Sequence, residues 1–158
     1  MKTQIFALVI FALLSSVTYA KGGLGELFGA LIGKSVGNAV GKSFLDTPSI
    51  ESALTKMADQ LNKRLPMAVD KETRWDNILP GPGRRFTYNY TIVAAKMSDI
   101  DKAYFRQTMQ AHLKNHVCAS PDMKIFFING ITVGYSYRAA DGIFLEKIDL
   151  TPKDCGIS

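Results

Sequence analysis

The chain has 158 residues and a net charge of +5, with 19 basic against 14 acidic side chains and only two cysteines. The positive excess is mild and has no Lys/Arg block, and a pair such as Arg84-Arg85 is too small to claim nucleic acid or a polybasic lipid site as a partner. Once the two N-terminal segments are set aside, about 110 residues remain, enough for one compact domain.

The first element in chain order is an export signal. Lys2 supplies a positive start, residues 5–14 form an apolar run, and Thr18 and Ala20 satisfy the small-residue rule for cleavage. The run is shorter than the ~20 residues that a membrane span needs, so residues 1–20 read as a signal peptide and the exported chain begins at Lys21. No cysteine follows Ala20, which excludes lipoprotein processing at that site.

A different segment follows, in which Gly25, Gly29, Gly33, Gly37 and Gly41 recur at every fourth position. Each glycine costs a water-exposed helix about 1 kcal/mol relative to alanine. On a helix, however, the five form a flat stripe that lets another helix approach closely. The residues between them include Leu27, Phe28, Leu31 and Ile32, which supply apolar contact with a membrane or a partner. Residues 28–35 are followed by a near copy in residues 36–43, so the surface is periodic. A flexible tether is the plain alternative, but a tether is normally polar, and mobile apolar residues in water invite aggregation. These side chains need a partner helix, a bilayer or a groove on their own domain. Lys34, Asn38 and Lys42 make a lone span costly, at ~2.5–3.5 kcal/mol for a central lysine. The segment resembles the glycine zippers of exported bacterial envelope proteins over residues 24–44. That resemblance implies membrane association or self-assembly.

The domain proper is expected over residues 46–158. Thr47 and Pro48 can open a helix in which Ile50, Leu54, Met57, Leu61 and Leu65 share a face, with Pro66 as its end. Residues 67–79 read as an interrupted strand, and residues 80–83 as a turn. Over residues 84–93, Phe86, Tyr88, Tyr90 and Ile92 alternate with Thr87, Asn89, Thr91 and Val93, the pattern of a strand. Ser98 and Asp101 resemble a capping box ahead of a second helix with Phe105, Met109, Leu113 and Val117 on its buried face. A short segment begins at Pro121 and stops at Gly130. Strands over 131–138 and 143–151 then form a hairpin around residues 139–142. The order helix-strand-strand-helix-strand-strand predicts an α+β domain with an antiparallel sheet of about four strands and helices on one face.

Several motifs invite chemistry and fail on spacing. Gly41-Lys42-Ser43 has three residues, not four, between its glycines, so it is no phosphate loop. His112 and His116 share a helical face, but no third ligand adjoins them and Lys114 opposes a cation. Asp70, Glu72 and Asp76 read as the polar side of an extended segment rather than as an acid/base set. No cofactor, metal site or catalytic residue follows from the sequence. Cys118 and Cys155, an even count in an exported chain, are expected to pair in a disulfide.

Phe86, Tyr88 and Tyr90, with Tyr135 and Tyr137, read first as core and cross-strand packing. Should one sheet face lack helices, Tyr88, Tyr90, Tyr135 and Tyr137 with Arg84, Arg85 and Arg138 form the candidate partner surface. The functional expectation is a periplasmic or secreted, non-enzymatic envelope protein. Its glycine segment gives membrane contact or homo-oligomers, and its domain binds a protein partner. Two alternatives stand beside it: a soluble binding or inhibitor module on a tether, and a small envelope hydrolase.

Overall fold

The computed structural model of the chain describes residues 28–31 and 49–157. The signal peptide, most of the glycine segment and the predicted Thr47 cap lie outside the described residues. Helix α1 spans Ile50–Asn62 and is capped by Ser49, whose hydroxyl accepts from the Ser52 N–H at 3.1 Å. It buries Ala53, Leu54, Met57, Ala58 and Leu61, the expected stripe, but it ends at Asn62 rather than at Pro66. Asn62 has another task. Its Nδ2 donates to the Ile78 carbonyl and its Oδ1 accepts from the Ile78 N–H, both at 2.8 Å. One side chain thus supplies the pairing that a neighbouring strand would give, and it ties α1 to the sheet.

The sheet has five strands in the order of the sequence: β1 (Met67–Ala68), β2 (Thr73–Gly81), β3 (Arg85–Ile92), β4 (Thr132–Ala139) and β5 (Phe144–Leu150). β2 and β3 form one antiparallel hairpin and β4 and β5 another, as expected. The sheet is nevertheless mixed, because β3 and β4 run parallel, with Phe86 opposite Val133, Tyr88 opposite Tyr135 and Tyr90 opposite Tyr137. This corrects the all-antiparallel, four-stranded expectation. The chain between β3 and β4 carries helix α2 (Lys102–Ala119) and helix α3 (Pro121–Ile128). That is long enough to bring it back to the starting end of the sheet, as parallel pairing requires. The fifth strand is the two-residue β1, which pairs with Arg74 and Trp75.

α2 starts at an Asp101 cap, its carboxylate accepting from the Tyr104 N–H at 3.0 Å. Ser98 belongs instead to a separate turn of 3-10 helix, Met97–Asp99. Phe105, Met109, Leu113 and Val117 are all buried, as their spacing predicts. Pro121 opens α3 and Gly130, at φ +71°, turns the chain into β4. After β5, a short 3-10 turn (Pro152–Cys155) places Cys155 beside the end of α2, where it is disulfide-bonded to Cys118. Closing a loop of 37 residues is worth ~4 kcal/mol in the chain-entropy account.

Candidate functional site

Alternation along β3 and β4 divides the sheet into two faces. Phe86, Tyr88 and Ile92 on β3, with Val133, Tyr135, Tyr137 and Ala139 on β4, are buried. The helices lie over this face: Phe105 of α2 meets the Tyr137 ring edge-on at 5.2 Å, and Phe126 of α3 packs against Phe86 at 5.7 Å. Across the parallel pair, Tyr88 stacks on Tyr135 at 5.4 Å and Tyr90 on Tyr137 at 5.5 Å. Burial pushes the Tyr135 and Tyr137 hydroxyls well above the usual tyrosine range, and the neighbouring Tyr135 raises Tyr137 further. The tyrosines are therefore part of the core and Tyr90 is half-buried, so the predicted tyrosine-arginine surface does not assemble. The reason is steric: aromatic rings supply the area that the helices need to bury, so the helices took the aromatic face.

The opposite face is polar and, among the described residues, carries no helix. Arg85 Nη1 meets Asp149 Oδ2 at 3.0 Å, and Lys147 Nζ approaches Asp149 Oδ1 at 3.3 Å. Asn89 donates to Asn77 at 2.9 Å, and the Thr91 hydroxyl donates to Asp76, which also pairs with Arg74. Gly134 sits under this network. A Cβ there would lie 2.7 Å from Asp149 Oδ1 and 2.9 Å from Thr87 Oγ1, so only glycine lets those side chains close over the strand. Arg138 reaches the edge of the same face and donates to the Gly142 carbonyl at 3.1 Å. Arg84 sits apart in the β2–β3 turn at φ +56°, donating to the Asn129 carbonyl. Of the seven residues in the predicted partner surface, Arg85 and Arg138 thus share the open face.

The remaining candidates have local partners. Asp70 Oδ1 accepts from the Glu72 and Thr73 N–H groups, both at 2.7 Å, and so shapes the turn into β2. His112 and His116 lie ring to ring at 4.3 Å. Partial burial lowers the His112 pKa and the charge of His116 lowers it further. Among the described residues no group of three His, Cys, Asp or Glu side chains could hold a metal. A shallow cleft between α2 and β5 is lined by Lys102, Arg106, Gln107, Gln110 and Glu146. Its buried Glu146 lies 3.8 Å from Arg106.

The glycine segment enters the described structure at residues 28–31, which are helical. Phe28 has no exposed surface, and its ring stacks on Phe126 of α3 at 5.0 Å and 22°. Gly29 lies on the side facing α3, where a Cβ would sit 3.8 Å from Ile125 Cδ1, an ordinary packing distance. Leu31 packs against the core from the same side. Gly25, Leu27, Ile32, Gly33, Gly37 and Gly41 lie outside the described residues. Among the described residues no helix is long and apolar enough to cross a membrane.

A five-stranded mixed sheet with helices on one face places the chain among α+β folds seen before. Three solved structures share it, each matching 66% of this chain. One is a candidate secreted protein of Pseudomonas aeruginosa, with a TM-score of 0.56, 14% identity and 91% of its own chain covered. The second is a pilotin from the type 2 secretion system of Vibrio vulnificus, at 0.52, 14% and 90%. The third is the type II secretion system pilotin of Vibrio cholerae, at 0.51, 16% and 91%. At these identities the likeness is one of fold. No family model matches the chain, and no curated protein matches it.

Proposed function

We propose that this chain is an exported, non-enzymatic protein of the bacterial envelope whose α+β domain binds a protein partner. The observation that supports this best is the shared fold: two of the three similar structures are secretion-system pilotins and the third is a candidate secreted protein. The signal-like residues 1–20 and the Cys118–Cys155 disulfide agree with an oxidising compartment outside the cytoplasm. The partner surface we favour is the open sheet face. Its threonines, asparagines and paired charges offer many donors and acceptors around Arg85, a residue type that often dominates interface energies. The glycine segment adds membrane association or self-assembly, a role supported by the apolar residues set between its glycines.

The test places a photo-crosslinkable amino acid at Asn89, on the open face, and separately at Gln110, on the helical side, in cells that export the chain. A processed periplasmic chain with an adduct from Asn89 supports the reading. An adduct from Gln110 alone overturns the open-face assignment, and a cytoplasmic chain that keeps its leader overturns the whole. For the glycine segment, Gly33→Leu with Gly37→Leu should reduce membrane fractionation or oligomer size. If neither changes, that part of the proposal fails.

A further inference from the structure

We infer that the surface formed by α3 beside β3 is the docking site for the chain's own glycine segment, with Phe28 as the anchor. The docked state withholds that segment from lipid or from a second copy. This rests on the reading of the segment as a membrane or assembly element. It goes further by naming what the segment touches before it reaches either.

Three features of the described residues carry the inference. Phe28 is fully buried although it belongs to a segment separate in sequence from the domain, and it takes part in an aromatic chain running Phe28–Phe126–Phe86–Tyr88. A phenylalanine ring cannot be stacked on Phe126 and inserted in a bilayer at once, so docking and insertion compete for one side chain. Gly29 lies on the α3 side of this turn, where a Cβ would sit 3.8 Å from Ile125 Cδ1, so the turn and α3 are at packing distance. The helix that receives this turn is α3, through Phe126 and Ile125. Leu31 completes the contact, so two of the four apolar residues expected to meet a membrane rest on the protein's own domain.

The occupant is the chain's own segment rather than a foreign peptide because residues 28–31 of that segment fill the site in the structure. Competition follows from mass balance: a ligand that binds only the released form shifts the equilibrium by its differential affinity for that form. A bilayer acts as such a ligand if the segment inserts.

The experiment uses the processed full-length chain and the variant Ile125→Ser, which weakens the receptor without altering the glycine segment. Hydrogen–deuterium exchange reads docking in the absence of lipid. Amides of residues 28–31 should exchange at least tenfold more slowly than in a free peptide of residues 21–45, and this protection should vanish in Ile125→Ser while β3 and β4 stay protected. Exchange at the free-peptide rate in the unaltered chain would overturn docking. Should Ile125→Ser disturb β3 or β4, Phe28→Ser removes the anchor from the other side and is read the same way. Flotation with vesicles of phosphatidylethanolamine and phosphatidylglycerol at 3:1 then reads the competition, and Ile125→Ser should raise the bound fraction at least threefold. Equal flotation despite lost protection refutes the competition. If the free peptide itself does not float, the membrane reading fails, and the exchange data still decide docking.

Discussion

The two faces of the sheet come from the same strands and are held by different physics. On the covered face, Phe86, Tyr88, Tyr135 and Tyr137 are buried under α2 and α3, and their contribution comes from area removed from water. On the open face, Arg85 and Lys147 meet Asp149, Asn89 meets Asn77 and Thr91 meets Asp76, through short polar contacts that water can replace. The covered face sets whether the domain folds. The open face rests on half-exposed polar pairs, which contribute less to stability than buried area does. Alternation in a sequence shows that two faces exist, but the apolar area on each decides which one the helices take.

The largest break in this comparison should come from Phe86→Ala, which empties a fully buried position between Phe126 and Tyr88. Urea unfolding should register a loss of about 3–5 kcal/mol. On the other face, Gly134→Val should cost about 1–3 kcal/mol by forcing Asp149 and Thr87 aside, visible as a lower denaturation midpoint with helix content unchanged.

The two faces also part at alkaline pH. Tyr135 and Tyr137 have folded-state pKa values raised by burial, so the native chain keeps protons that the unfolded chain releases near pH 10. The contribution of these two tyrosines should therefore be unchanged below that pH, and stability should fall above it by about 1.4 kcal/mol per pH unit for each tyrosine. Tyr137→Phe should remove one such increment from the slope, measured as urea midpoints between pH 9 and 11. The smallest effect is expected for Arg85→Ala. It breaks a half-exposed pair with Asp149 and should change stability by only about 0.2–1 kcal/mol, so any large loss on a partner-binding assay would be a loss of contact and not of fold.

Much of this architecture is legible from residue spacing. The stripes of α1 and α2, the alternation of β3 and β4, the Pro121 start and the Cys118–Cys155 pair all follow from periodicity or from simple chemistry. The parallel β3–β4 pairing does not, because each hairpin reads locally as antiparallel while the link between hairpins depends on where two intervening helices deliver the chain. β2 is blurred for another reason: its register shifts between Trp75 and Asn77, so a count of every second residue loses the face halfway along. Asn62 carried no signal, since an asparagine that substitutes for a strand looks in sequence like any helix end. The site was half legible. Arg85 and Arg138 were marked, but the tyrosines grouped with them point the other way.

The position of Cys155 decides how much of the chain the disulfide encloses. Its partner Cys118 precedes α3, β4 and β5, and Cys155 follows all three. In the folded chain the two sulfurs meet because α2 lies over the sheet and the chain returns beside its end after β5. The bridge therefore encloses α3 and the whole second hairpin in one loop and fastens the last turn of the chain to α2. A chain arrested before Cys155 would leave Cys118 without its partner, a thiol open to any oxidant or neighbouring cysteine it met. A disulfide so placed separates completed molecules from arrested ones, and a reactive Cys118 would be the chemical mark of the latter.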